Sequence, residues 1–196
     1  NTFIDIARKV TIKDAEGFRT EVDSIVVSVR ADLAVELNEA TLYADDGAAE
    51  VVKDFKSGKL TLGIDDIGVA AARNLTGAQI DDNHVLISAG EDSASSVAIG
   101  FRAKKANGKY RYFWLYRVKF GIPATNLSTK GDSITFSTPS IEGTILRRNK
   151  TDESGRHPWK AEVNEDDASV LSATITGWFA AVYEPEFAVV IITITA

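Results

Sequence analysis

Apolar and polar positions alternate with a period of two along much of the chain, the pattern of half-buried strands. Leu33, Val35 and Leu37 alternate with Asp32, Ala34 and Glu36 in RADLAVELN (30–38), and Leu60, Leu62 and Ile64 alternate through KLTLGI (59–64). Residues 10–12 (VTI) and 22–29 (VDSIVVSV) read as two more strands, separated by turn chemistry in DAEG at 14–17. The clearest signal is a hairpin. VAIGFRAK (97–104) and YRYFWLYRVKF (110–120) flank KANGK, whose Asn107-Gly108 dipeptide favours positive φ at both turn positions. In the second arm, alternation places Tyr110, Tyr112, Trp114, Tyr116, Val118 and Phe120 on one face. Arg111, Phe113, Leu115, Arg117 and Lys119 take the other, so the middle of the arm is expected to be covered on both sides. Ser133–Thr138 and Ile141–Leu146 add two strands, with Pro139 marking an edge, bulge or break between them.

The period changes to that of a helix twice. IGVAAARNL (67–75) follows Asp65 and Asp66, either of which can cap orphan amides, and precedes Gly77, a suitable left-handed stop. In NEDDASVLSATITGWFAAVYEPEF (164–187), Ala168, Leu171, Ile175, Trp178, Phe179 and Val182 recur at helical spacing. Glu165, Asp166 and Asp167 form an acidic first turn suited to the helix dipole, and Pro185 supplies a stop. Residues 39–58 fit neither period and read as a long loop. Without repeats or a dividing linker, residues 1–196 are expected to form one mainly β domain with a short flanking helix and a C-terminal helix.

Composition narrows the chemistry. With 22 basic and 28 acidic side chains the net charge is −6, which disfavours broad binding to a phosphate backbone. There is no cysteine, so disulfides, thiolate metal sites and cysteine nucleophiles are excluded. The opening residues show no basic-then-apolar leader pattern, and no apolar run approaches the length of a spanning helix, so neither export nor a membrane life is expected. His84 and His157 sit in separate polar segments without ligand spacing, and read as exposed loop residues. SGKLTLG lacks the glycine and hydroxyl of a phosphate loop. The acid pairs Asp45-Asp46, Asp65-Asp66, Asp81-Asp82 and Asp166-Asp167 each have a simpler account as turn, cap or solvated loop. RAKKANGKYRYFWLYRVK interleaves bases and aromatics as a single-strand nucleic-acid platform does, but an amphipathic hairpin gives the same composition. No catalytic residue, metal site or cofactor is expected.

Four stretches taken together carry a family resemblance: LYADDG (42–47), LTLGID (60–65), the YRYFWLYRVKF arm and KGDSITFSTPSIEGTI (130–145). Over roughly residues 20–185 their order and spacing resemble the major tail proteins of long-tailed bacteriophages, specifically the phi13-like group. WFAAVYEPEF (178–187) resembles that family's ending, whereas AVVIITITA (188–196) departs from it as an unassigned extension. The resemblance implies a tail-tube β-sandwich or barrel that forms six-membered rings, stacked into a hollow tube for genome passage. It implies assembly in the host cytoplasm into the virion tail, with tape-measure, tail-terminator and distal tail proteins as partners. DNA would pass without specific binding. Six copies together carry about −36, and lumen-facing acids would repel phosphate and let DNA slide. Residues 39–58 match the family's inter-ring loop, with Leu42, Tyr43, Ala44, Asp45, Asp46, Gly47, Val51 and Phe55 as assembly contacts. The competing readings are a carbohydrate-binding or adhesive β-sandwich, stacking sugars on Trp159 or Tyr43, and the tube of a contractile tail or phage-derived bacteriocin.

Overall fold

A computed structural model describes residues 12–14, 31–44, 47–63, 69–122 and 140–186. In chain order its elements are β1 (Ile12–Asp14), β2 (Ala31–Ala44), β3 (Gly47–Gly63), α1 (Val69–Thr76), β4 (Gln79–Ile80) and β5 (Leu86–Ile87). They continue as β6 (Ser96–Lys104), β7 (Tyr110–Phe120), β8 (Ser140–Ile145), β9 (Lys160–Asn164) and α2 (Ser172–Gly177). The protein is mainly β, as the period-two pattern predicts. Among the described residues seven strands make one curled antiparallel sheet in the order β1-β6-β7-β8-β3-β2, with β9 also paired to β7, and β4-β5 form a separate hairpin. The expected strands at 22–29 and 133–138, and the caps Asp65 and Asp66, lie outside the described residues.

Strand β7 is the hub because its apolar residues fill both faces. Along one edge it pairs with β6; along the other it pairs with β9 from Arg111 to Leu115 and with β8 from Val118 to Phe120. Leu115, Val118 and Phe120 join Leu60, Leu62, Ile99, Ile141, Ile145 and Leu75 of α1 in the main core. On the opposite face Tyr112 and Trp114 pack with Trp178, beside Phe179 and Tyr183. The expected two-sided cover is present, but the parity is not the expected one. Val97 pairs with Val118 while Ile99 pairs with Leu115, so β7 spends three residues where β6 spends two. This bulge at Tyr116-Arg117 flips the alternation and carries Val118 and Phe120 to the face of Leu115.

The turn of this hairpin also differs from the two-residue form expected of Asn107-Gly108. Gly108 has φ +81° whereas Asn107 has no positive φ, and Gly108 N–H donates to Lys105 O at 3.0 Å. Lys105 N–H donates to Lys109 O at 2.7 Å, closing a three-residue loop with a glycine bulge instead of a two-residue turn.

Helix α1 ends as its sequence demands. Gly77 at φ +81° donates its N–H to Arg73 O at 2.8 Å, and Thr76 Oγ1 donates to Ala72 O. A Cβ added at Gly77 would meet Ser93 O at 2.4 Å. Gly77→Ala is therefore expected to cost about 2–4 kcal/mol, from left-handed strain plus forced movement of the backbone at Ser93. Chemical denaturation checks this, and an unchanged midpoint would mean that the 77–93 contact is not held in solution.

The second helix is far shorter than its period suggested. Only Ser172–Gly177 is helical; Leu171 is exposed, and the residues from Trp178 onward continue as a strap across the aromatic face of β7. Trp114 Nε1–H donates to Trp178 O at 2.9 Å and Tyr116 Oη–H to Tyr183 O at 2.8 Å. Aromatic packing and these side-chain bonds reward an irregular path that brings Trp178, Phe179 and Tyr183 onto the sheet, which a continuous helix with Gly177 inside would not.

Candidate assembly surface

The segment expected to be a loop at 39–58 is two paired strands. β2 and β3 pair from Ala31↔Leu62 to Ala44↔Gly47, with only Asp45 and Asp46, outside the described residues, between them. Register shifts at Glu36/Leu37 and Leu42/Tyr43 give β3 extra residues and break the period-two signal, which is why the segment read as a loop. Main-chain ladder bonds form regardless of this mixed Ala, Gly and charged composition. Leu42, Tyr43 and Ala44 therefore lie on β2, and Gly47, Val51 and Phe55 on β3.

Strand β8 accompanies β3 only from Gly58 to Gly63. Beyond Gly58, among the described residues, the β2–β3 hairpin continues two-stranded for about 30 Å at the rise of a strand. Its root is tied down. Phe55, expected among the surface contacts, is 9% exposed and stacks on Trp159 with centroids 4.4 Å apart and rings 7° from parallel. Arg147 Nη2 donates to Asp54 Oδ2 and Phe55 O, and the hydrogen bond from Arg147 holds the Asp54 carboxyl below its ordinary range.

Strand β2 forms a sheet edge, pairing with β3 alone among the described residues. Leu33, Val35 and Leu37 stand opposite Leu60, Gly58 and Phe55, the core side of β3. The apolar core face thus runs on to β2, where Leu33, Val35 and Leu37 are 36%, 43% and 54% exposed. The next same-face position along β2 carries Glu39, ion-paired with Lys53 at 3.5 Å. On the other face Glu36 accepts from Ser57 Oγ at 3.0 Å. The alternation of Leu33, Val35 and Leu37 was legible as a strand; that no part of the described chain covers it was not.

The basic-aromatic hairpin is not a free cationic platform. Tyr112 and Trp114 are buried, and the acids read as a helix start clasp the turn instead. Lys105 Nζ donates to both Asp166 oxygens at 2.7 and 2.6 Å, and Asn107 Nδ2 donates to Asp166 at 2.9 Å. Glu165 accepts from Tyr110 N–H at 2.8 Å and from Lys109 Nζ at 3.3 Å, while Arg111 pairs with Glu162 of β9. Asp167 accepts from Ser169 N–H and Oγ–H. The Tyr110 bond lowers the pKa of Glu165, and the Lys105 bond that of Asp166. With folded pKa values below the ordinary 4.5 and 3.8, the clasp's stabilisation is present above those values and lost as pH falls through the lower folded ones. Amide exchange at Tyr110 and Gly108 is expected to accelerate, relative to the main core, only below about pH 4. Uniform acceleration across the sheet would assign acid sensitivity elsewhere.

His84 is exposed at φ 61° in the β4–β5 turn, where Asp81 Oδ1 accepts from Asn83 and Val85 N–H. His157 lies apart, in a loop between β8 and β9. Among the described residues no group of three His, Cys, Asp or Glu could hold a metal, and no helix is long and apolar enough to cross a membrane. No protein-family model matches the chain, and no curated protein matches it.

Proposed function

We propose that this chain is a structural subunit of a long-tailed phage's tail tube, forming stacked hexameric rings around a lumen for DNA. The observation that carries the reading is the β2–β3 arm. A two-stranded hairpin is marginal in water by itself, and among the described residues this one reaches well past its sheet with an unpaired outer edge and a half-exposed apolar row. Such an edge invites aggregation in a monomer and becomes an assembly surface in a closed ring. A sheet whose described strands end at β1 on one side and β2 on the other suits head-to-tail joining of copies. The tip around Leu42–Gly47 and Val51 then serves stacking between rings, while Leu33, Val35 and Leu37 serve contact within one.

The test is negative-stain electron microscopy of the concentrated protein, alone and with a tail-initiation complex. Rings and tubes of constant diameter are expected. Monomers under every condition, with the arm intact by amide exchange, would overturn the reading. A tube needing a sheath would place the chain in a contractile tail or bacteriocin.

A further inference from the structure

The loop between β8 and β9, the start of β9 and the strap after α2 line an open cleft of about 350 Å³ that the tube reading leaves unused. Its aromatic walls are Tyr116, Trp159 and Tyr183, and its polar lining is Asp152, Arg156, His157 and Lys160. The volume sits at the lower end of small-ligand pockets, about 300–1,000 Å³, and aromatic walls with a few polar groups are their usual lining.

The walls are held before any ligand arrives. Trp159 stacks on Phe55, Tyr183 stacks on Trp178 at 5.0 Å, and the buried Arg148 guanidinium lies 4.7 Å from the Tyr116 ring centroid. Burial pushes the Tyr116 phenol up to about 12, against the pull of Arg148, so it stays a neutral donor to Tyr183 O. The loop is equally fixed. The Asp152 side chain, 1% exposed, accepts from Ser154 N–H, Arg156 N–H and Arg156 Nε–H, and Gly155 turns at φ +75°. Burial alone would raise the Asp152 pKa, but the bonds from Arg156 and Ser154 hold it below the ordinary value. His157 Nδ1 lies 3.0 Å from Arg148 O, a contact that keeps the proton on Nδ1 when the ring is neutral. Little ordering remains to oppose binding.

Arg156 and Lys160 face one lining carboxylate, Asp152, which Arg156 already pairs, so two cations against one acid leave the lining at +1 in an acidic protein. Glu162 is shared by Lys160 and Arg111, and Glu184 by Arg148 and Lys150, so each carboxylate answers two cations. From this geometry we propose that the cleft binds a small ring-bearing carboxylate, its ring between the aromatic walls and its acid at Arg156 and Lys160. The site is independent of tube formation.

The test follows the Trp159 indole N–H by NMR while glucuronate, benzoate or glucose is added. Saturable shifts with at least one carboxylate, and none with glucose, are expected; glucuronate over benzoate assigns a sugar acid, and the reverse an aromatic acid. Arg156→Gln and Lys160→Met should each weaken binding about tenfold, corresponding to 1.4 kcal/mol, with unfolding midpoints recorded to confirm the fold. Because Arg156→Gln also removes a partner of Asp152, Lys160→Met decides if the first variant unfolds. No shift up to about 10 mM of either acid, equal shifts with glucose, or carboxylate binding indifferent to Lys160→Met overturns the proposal.

Discussion

Trp114→Ala is expected to destabilise the protein by about 3–5 kcal/mol, the cost of emptying a large buried aromatic site. Trp114 is fully buried, and its indole crosses closely over Gly100 of β6, where an added Cβ would lie 2.8 Å from the ring. Its Nε1–H bond to Trp178 O is one of the few links between sheet and strap, so the substitution leaves both a cavity and a carbonyl without its donor. Trp178, Phe179 and Tyr183 would lose their platform, and α2 with them. Calorimetry reads the loss of stability. Amide exchange should show the strap opening at a lower free energy than the sheet, since its attachment is by side chains. A loss below about 1 kcal/mol would mean the aromatic face is covered some other way.

The second large effect is on assembly. Val35→Lys together with Leu37→Lys should leave the folded monomer within about 1 kcal/mol of wild type, because both side chains are half-exposed and lysine is tolerated on an edge strand. If the chain forms the proposed tube, the same pair should abolish rings and tubes, because two ammonium groups would then be buried in an apolar contact without partners. Electron microscopy reads assembly and circular dichroism reads the fold. Tubes from the double variant would remove the β2 row from the interface. Loss of the monomer fold would show instead that the row belongs to the core of one chain.

Much of the architecture follows from local pattern. The β6–β7 hairpin, β8, the sheet-bound end of β3 from Lys59 and α1 with its Gly77 stop are written in alternation, turn residues and a single left-handed position. Other features escaped because they depend on partners distant in sequence. A bulge at Tyr116-Arg117 reverses the parity of β7, and nothing in YRYFWLYRVKF marks where it falls. KAEVN of β9 has little strand character and is a strand because β7 offers its other edge. Glu165 and Asp166 have the composition of a helix start, yet the bases they meet lie more than 50 residues earlier, at the hairpin turn.

The sequence by itself determined the strand-rich class, the central hairpin, the cysteine-free acidic character and the row Leu33, Val35, Leu37. Only the tertiary structure decided that this row lies on an edge strand among the described residues, that residues 39–58 extend it as a paired arm, and that Trp159 and Tyr183 line one cleft. The division has a physical cause. Alternation and turn chemistry act between near neighbours, whereas cover, register and enclosure depend on which distant strand or strap arrives opposite.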